Sequence, residues 1–176
     1  MALVSPPRKR PDAFPLTLPD DRPLAVLFVC MGNICRSPLA EGAFRAAAGR
    51  AGLAPRLVID SAGLTDFHEG EPPDPRAIAA AARRGLDISL QRARPVRPGD
   101  FLDFDVMLAM DDANLAGLDL RRPDHALARA ALLLDAAEGR PVPIPDPYYG
   151  EAADFEAVLD TVARAAERLV GRLRGG

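Results

Sequence analysis

Cys30 and Arg36 are the residues whose types and spacing most directly suggest chemistry in this sequence. A cysteine thiolate is a strong nucleophile, and an arginine offers a fork of hydrogen-bond donors that suits paired phosphate oxygens. The residues between them, MGNIC, fit a tight, curled loop. The N–H groups of such a loop, together with those at the start of a following helix, attract anions. We therefore expect an anion site in which the Cys30 thiol ionises and faces a bound phosphate group.

The residues on either side of this loop predict a strand before it and a helix after it. The apolar run at residues 24–29 is typical of a strand that is buried on both faces, as in a parallel sheet. Ser37 fits an N-cap, and Pro38 fits the first helical position, where a missing N–H costs nothing. A cysteine is more often a buried core thiol, but this strand–loop–helix context favours a reactive Cys30.

A second candidate is the stretch PIPDPYYG at residues 143–150, which contains both tyrosines of the chain, Tyr148 and Tyr149. The prolines on either side of Asp146 restrict the backbone and hold the carboxylate on a stiff loop. As a bare pattern, the stretch is a proline-rich turn.

The segment VLFVCMGNICRSPLAE resembles the phosphate loop of the low-molecular-weight protein tyrosine phosphatases, whose pattern is C-x-G-N-x-C-R-S-P. The likeness runs from about Leu24 to the end of the chain and includes DSAG, MDDAN and DPYYG. It implies a phosphotyrosine-protein phosphatase in which Cys30 forms a cysteinyl-phosphate, Arg36 binds the phosphoryl oxygens, and Asp146 acts as general acid and then as general base. The implied substrate is a tyrosine-phosphorylated protein or a small aryl phosphate, inorganic phosphate is a product, and no cofactor or metal is expected.

Further residues are expected to support the loop or to contact the substrate. The resemblance implies that Ser61 lies under the loop and hydrogen-bonds Asn33, and we expect Ser37 to donate a hydrogen bond to the cysteine sulfur. Phe67 stands on a loop that resembles the family's variable loop at the substrate entrance; the alternative is a ring tucked under its own loop. The expected substrate contacts are Met31, Gly32, Ile34, Phe67, Tyr148 and Tyr149.

Four other positions have either two open interpretations or a purely structural one. Cys35 is either a small loop filler or the partner of a reversible Cys30–Cys35 disulfide that shields the nucleophile. Gln91 stands near where many relatives have a histidine that braces the loop, and the sequence leaves open whether it replaces that brace. His68 and His125 lack further ligands at metal-binding spacing, so we predict that both are solvated.

Three other functions fit parts of the same pattern. Arsenate reduction on this scaffold passes a disulfide to further cysteines, but the sequence has only two. Protein-arginine phosphatases of this fold carry a threonine where this chain has Ile34. A non-catalytic phospho-ligand binding module needs neither the thiol of Cys30 nor the acid of Asp146. Hydrolysis of an aryl phosphate ester therefore fits the whole pattern best.

Four apolar segments that alternate with helical patterns predict a three-layer α/β fold. Strands are expected at residues 24–29, 57–59, 106–109 and 130–134, the last being ambiguous between strand and helix. The expected sheet is parallel and four-stranded, in the flavodoxin-like order 2-1-3-4 with helices on both faces, and ligands bind such sheets at the carboxyl ends of strands. An amphipathic helix is predicted over residues 154–173.

The composition fits one domain, with 176 residues, 48% of them hydrophobic, and a net charge of -3. There is no basic footprint for nucleic acid, and no apolar run approaches the length of a membrane span. Residues 1–22 are proline-rich without an apolar core, so we predict a flexible N-terminal extension before a single phosphatase domain over residues 23–176. The alternative is an arm that docks a partner. Two cysteines in one short loop do not make a disulfide framework, so a cytoplasmic location is expected.

Overall fold

The computed structural model describes residues 14–175. At its centre is a parallel sheet of four strands, β1 (Leu24–Cys30), β2 (Leu57–Gly63), β3 (Val106–Ala109) and β4 (Arg129–Leu132). The strand order is β2-β1-β3-β4, as predicted. Every residue of β1 is buried, because this strand has a neighbour on each side and helices on each face.

Within residues 14–175, six α-helices and one short 3-10 helix surround the sheet. In chain order they are α1 (Arg36–Arg50), the 3-10 helix (Ala54–Arg56), α2 (Pro75–Ala82), α3 (Asp100–Asp103), α4 (Asp112–Arg121), α5 (Leu133–Glu138) and α6 (Ala152–Arg174). Successive side chains of a strand point to opposite faces. Phe28 of β1 accordingly packs in a cluster with α1, α2, α5 and α6, whereas Leu27 packs in a cluster with α3 and α4. The predicted three-layer fold is confirmed.

The run at residues 130–134, which was ambiguous between strand and helix, forms the end of a strand and then the start of a helix. β4 ends at Leu132, and α5 begins at the next residue. Gly139 ends α5 with a φ of +68°, a conformation that favours glycine. The amphipathic pattern near the C-terminus forms α6 as predicted, and among the described residues no helix is long and apolar enough to cross a membrane.

The carboxyl ends of the central strands meet at one edge of the sheet. β1 ends at Cys30, and its neighbour β3 is followed directly by Met110. The chain returns to this edge much later, where the N–H of Ile144 donates a hydrogen bond of 2.8 Å to the Met110 carbonyl oxygen. The topology therefore brings the segment after residue 143 beside the end of β1.

Residues 14–22, which we call the N-terminal segment, lie against this domain. Leu16 is buried in the cluster formed with α1 and α6, and Phe14 and Leu18 pack beside it. These alternate positions face the core because an extended chain turns every second side chain to the same side. A flexible extension was predicted over residues 1–22, but the structure packs residues 14–22 against the domain. The rest of the predicted extension, residues 1–13, lies outside the described residues.

Candidate active site

The phosphate loop, residues 30–36, connects β1 to α1. Asn33 has a φ of +57°, in the left-handed region that asparagine enters more readily than most residues. Gly63, the last residue of β2, lies so close that a Cβ atom there would be 2.8 Å from the Met31 carbonyl oxygen. The curled loop therefore rests directly on the end of the sheet.

A group of hydroxyl and amide side chains lies directly beneath the loop. The Cys30 sulfur is 3.0 Å from the Ser37 Oγ atom. The Asn33 side-chain amide donates to the Oγ atoms of Ser37, at 2.8 Å, and Ser61, at 3.0 Å. Because the Ser37 oxygen already accepts from Asn33, its single proton is free to be donated to the sulfur.

Ser37 does not cap the helix, so that prediction is wrong. α1 begins one residue earlier, at Arg36, and the N-cap position is Cys35, whose side chain makes no capping hydrogen bond. The Ser37 hydroxyl cannot serve the helix end because it is engaged with Asn33 and Cys30.

Glu41 extends this network, and the sequence analysis missed it. The Ser61 hydroxyl donates to the Glu41 carboxylate at 2.9 Å, and Arg45 donates to its other oxygen at 3.1 Å. The side chain is almost completely buried, and this burial raises the pKa of Glu41 against the opposing effects of Arg45 and Ser61. The signal in the sequence is a carboxylate that falls at helical spacing from Ser37 and Phe44, on the buried face of α1.

Gln91 contacts the helix that follows the loop. Its side-chain amide donates a hydrogen bond of 3.1 Å to the carbonyl oxygen of Pro38. The Asn33 side-chain oxygen instead accepts from the backbone N–H of Arg94 at 3.0 Å. The backbone N–H of Arg94 therefore holds the phosphate loop through Asn33, whereas Gln91 holds the first turn of α1.

Arg36 is nearly inaccessible to solvent and joins three parts of the chain. Its Nη1 atom lies 2.7 Å from the Asp111 carboxylate and donates to the Ile144 carbonyl oxygen at 3.0 Å. Its Nη2 atom lies 3.5 Å from the Asp146 carboxylate. Asp111 also accepts from the N–H of Asn114 at 2.8 Å, as the N-cap of α4. The ion pair between Asp111 and Arg36 was not predicted from the sequence.

Cys30, Arg36 and Asp146 line one cavity of about 370 Å³. It has the size expected of a small-molecule site. Among residues 14–175, no group of three histidine, cysteine, aspartate or glutamate side chains is arranged to hold a metal ion. The residues that line the cavity are Cys30, Met31, Gly32, Ile34, Cys35, Arg36, Thr65, Phe67, His68, Asp146, Tyr148 and Tyr149.

Aromatic side chains form the rim of the cavity. Phe67 and Tyr149 are exposed over 86% and 96% of their surface, so neither is tucked under its own loop. The rings of Tyr148 and Tyr149 meet nearly at right angles, with centroids 4.9 Å apart. Exposed aromatic rings around a cavity favour the binding of another ring.

His68 is partly exposed and lines the cavity, a position that was not predicted from the sequence. A Cβ atom at Gly32 would lie 3.1 Å from the Cδ2 atom of the histidine ring. The Nδ1 atom is 2.8 Å from the Glu71 carboxylate, on the other side of the ring. The loop after β2 folds back over the phosphate loop, a proximity that the local sequence pattern does not reveal.

Cys35 is a second free thiol beside Cys30. It is buried, and this burial, together with the nearby Asp74 and Cys30, raises the pKa of the Cys35 thiol. A protonated thiol is a poor nucleophile. The two cysteines of the loop therefore differ in environment, because only Cys30 has a hydroxyl donor aimed at its sulfur.

The family model described as "Low molecular weight phosphotyrosine protein phosphatase" matches residues 25–175. This chain belongs to that family. It is therefore a hydrolase of the phosphotyrosine phosphatase type, and catalysis through a cysteine is general to the family.

Individual relatives agree with this assignment. The low molecular weight phosphotyrosine protein phosphatase of Sus scrofa is 37% identical over 152 residues, which cover 85% of this chain and 96% of the relative. Among solved structures, this chain is similar to the protein tyrosine phosphatase from Entamoeba histolytica with Hepes in its active site, at 35% identity and a TM-score of 0.81. The match covers 87% of this chain and 98% of the Entamoeba histolytica chain. The structure of YfkJ from Bacillus subtilis also has a TM-score of 0.81 at 35% identity, and covers 89% of this chain and 98% of its own.

Proposed function

We propose that this chain hydrolyses phosphotyrosine in proteins, or small aryl phosphates, with Cys30, Arg36 and Asp146 at the reacting centre. The convergence of these three side chains on one cavity supports the proposal most strongly, because it combines a nucleophile, a cation and an acid. The activity is assigned to the single domain predicted over residues 23–176. A reducing compartment such as the cytoplasm suits it, since the Cys30 thiol must stay reduced.

In the first step, the phosphate oxygens accept hydrogen bonds from the loop N–H groups and from Arg36. The electron pair of the Cys30 thiolate forms a bond to phosphorus as the bond between phosphorus and the aryl oxygen breaks. The leaving oxygen takes the proton of Asp146. This proton matters because a tyrosine phenolate, with a pKa of about 10, is a poor leaving group.

In the second step, water attacks the cysteinyl-phosphate and gives a proton to the Asp146 carboxylate. The bond between sulfur and phosphorus breaks, and the sulfur keeps the electron pair. The Ser37 hydroxyl, 3.0 Å away, stabilises this thiolate as it leaves. Inorganic phosphate is the product. Arg36 and the loop N–H groups stabilise the negative charge of the phosphoryl group in both steps.

The aromatic rim of the cavity favours an aryl phosphate ester as the substrate. Phe67, Tyr148 and Tyr149 present rings to the entrance, and Met31 and Ile34 add apolar surface to the lining. A phosphotyrosine ring fits between such walls while its phosphate reaches the loop. The Ile34 side chain offers no polar atom to a phosphoarginine guanidinium.

The test is the hydrolysis of p-nitrophenyl phosphate at mildly acid pH. We expect turnover by the wild type, no turnover by Cys30→Ser, and a fall in Asp146→Ala that reaches roughly 10²- to 10⁴-fold with phenyl phosphate and is smaller with p-nitrophenyl phosphate. Asp160→Ala, which removes an exposed carboxylate of α6, is the matched control and should keep full activity. Turnover that survives in Cys30→Ser would overturn the proposal.

The same set of variants separates the alternatives. A binding module gives no turnover with any phosphate ester, and a protein-arginine phosphatase prefers a phosphoarginine peptide to a phosphotyrosine peptide. An arsenate reductase consumes a thiol reductant when arsenate is added. Phosphoproteins captured by Cys30→Ser and eluted with phosphate would identify the physiological substrate.

Reversible oxidation of the loop cysteines is a related prediction. Peroxide converts the Cys30 thiolate to a sulfenic acid, and condensation with the Cys35 thiol forms a disulfide and releases water. We expect a thiol reductant to restore the peroxide-treated wild type but not Cys35→Ser, as measured by p-nitrophenyl phosphate turnover. Permanent inactivation of the wild type would contradict the disulfide and leave Cys35 as a loop filler.

A further inference from the structure

The loop that carries Asp146, residues 144–150, is fixed firmly at its first residue. The Ile144 N–H donates to the Met110 carbonyl oxygen at 2.8 Å, and the Ile144 carbonyl oxygen accepts from Arg36 at 3.0 Å. Asp146 follows two residues later, with a proline on either side. Its side chain is about half exposed, so packing alone does not hold it over the cavity.

The far end of this loop is held by a different arginine. Arg76, at the start of α2, donates from Nη2 to the Tyr148 carbonyl oxygen at 2.9 Å and from Nη1 to the Gly150 carbonyl oxygen at 3.2 Å. Its guanidinium lies over the ring of the buried Phe155, 4.5 Å from the ring centroid. Asp146 thus lies between two arginine anchors, and only one of them belongs to the phosphate loop.

Asp74 connects Arg76 to the phosphate loop. Its carboxylate accepts two hydrogen bonds from the Arg76 side chain, at 3.0 Å and 2.9 Å. Its backbone N–H donates to the Ile34 carbonyl oxygen at 2.8 Å. The hydrogen bond with Arg76 holds the pKa of Asp74 below its ordinary value, so this pair remains ionised at working pH. One ion pair therefore spans the distance between the loop that binds phosphate and the loop that carries the acid.

We propose that Arg76 is a positioning residue that holds the Asp146 carboxyl group at the leaving oxygen of the substrate. This inference rests on the proposed function, in which Asp146 is the general acid. A proton donor must lie within hydrogen-bond reach of the oxygen that it protonates. Misplacement by about 1 Å lowers a rate by roughly 10²-fold. Arg76 prevents this misplacement because it fixes the carbonyl oxygens of Tyr148 and Gly150, two and four residues after Asp146.

The leaving group of the substrate distinguishes this role from a merely structural one. Phenolate is a strong base and needs a proton as it leaves, whereas nitrophenolate is a weaker base and needs it less. We expect Arg76→Gln to lower kcat/KM for phenyl phosphate by about 10- to 100-fold, and for p-nitrophenyl phosphate by much less. A role in fold stability alone would lower both values by the same factor.

Two further variants control for folding and for charge. Arg83→Gln removes an arginine at the end of α2 that pairs with Glu156 of α6, away from the cavity, and should leave the ratio of the two kcat/KM values unchanged. Arg76→Lys keeps the positive charge over Phe155 but not the fork of donors, so we expect an intermediate ratio. An unchanged ratio in either Arg76→Gln or Arg76→Lys would overturn the inference.

A double-mutant cycle tests whether Arg76 acts through Asp146. In an Asp146→Asn background no proton is available to position, so we expect Arg76→Gln to cause no further loss with phenyl phosphate. Two independent losses that multiply would refute a shared action. The proposed function is judged separately, from wild-type turnover and its loss in Cys30→Ser, so a failure of either hypothesis can be recognised.

Discussion

Gly63 lies at the end of β2, in close contact with the underside of the phosphate loop. A Cβ atom there would be 2.8 Å from the Met31 carbonyl oxygen and 3.1 Å from the Asn33 nitrogen. These neighbours are backbone atoms, so the loop itself would have to shift. We expect Gly63→Ala to lower kcat/KM by at least about tenfold and the free energy of unfolding by about 1–3 kcal/mol.

Gly49 is the matched control for this substitution. Among the described residues, nothing lies within 4 Å of the position of its Cβ atom. Since alanine favours a helix more than glycine does, Gly49→Ala should raise the free energy of unfolding by about 0.5–1 kcal/mol and leave activity unchanged. Denaturant titration and p-nitrophenyl phosphate assays measure both effects. Full activity in Gly63→Ala would show that the loop does not depend on this contact.

The buried carboxylate of Glu41 predicts a pH dependence of stability. Burial raises the pKa of Glu41 in the folded state, so the unfolded chain loses this proton at a lower pH than the folded protein. The corresponding stability is complete below the ordinary glutamate pKa of about 4.3 and is lost as the pH rises through the raised value. Glu41→Gln should remove this decline, as denaturant unfolding at several pH values will measure. Parallel stability curves for the two proteins would contradict it.

The site residues that the sequence analysis named are those whose chemistry is visible locally. Cys30 and Arg36 stand in one short loop, and Asp146 is marked by its flanking prolines. Glu41 and Arg76 could not be found in this way, because their partners lie 20 and 72 positions away in the chain. A helical carboxylate and a helical arginine are ordinary residues until the fold gives them these partners.

At the scale of elements, the N-terminal segment closes the end of the sheet opposite the site. Arg22 donates two hydrogen bonds of 2.8 Å to Asp105, just before β3, and Asp105 also accepts from the Ala25 N–H at 2.9 Å. The hydrogen bonds from Arg22 lower the pKa of Asp105 despite its partial burial. The segment therefore depends on an ionised carboxylate.

This ion pair predicts an acid sensitivity. Because the pKa of Asp105 is lowered, its contribution to stability is present above the ordinary aspartate value of about 3.9 and is lost as the pH falls through the lowered value. Arg22→Gln should reduce the midpoint of thermal unfolding at pH 7, with little difference from the wild type at the lowest pH where the protein remains folded. An equal reduction at both pH values would mean that the loss is not electrostatic.

The sequence predicted strands more securely than helix boundaries. The run at β1 was recognisable because a strand buried on both faces is continuously apolar. The boundary between β4 and α5 could not be predicted from the sequence. Leu132, Leu133 and Leu134 are identical residues, yet β4 ends at the first of them and α5 begins at the second. The start of α1 was misplaced because the Ser37 hydroxyl serves the loop and not the helix.

For the whole molecule, a bound anion should stabilise the fold. The phosphate loop, Arg36 and the start of α1 converge only in the folded state, so phosphate binds the folded protein and not the unfolded chain. At a phosphate concentration 100 times Kd, the free energy of unfolding should rise by about 2.7 kcal/mol. Denaturant unfolding in phosphate and in chloride of equal ionic strength measures this difference. An equal gain in Arg36→Gln would place the anion elsewhere.

The cavity joins segments that are synthesised far apart in time. Arg36 and the Ile144 carbonyl oxygen that it contacts are 108 positions apart in the chain. A nascent chain that is still attached to the ribosome, with residues 144–150 inside the exit tunnel, holds the thiol but lacks its proton donor. Turnover of the phosphate ester of a weakly acidic phenol consequently begins only after residues 144–150 have left the tunnel and reached the phosphate loop.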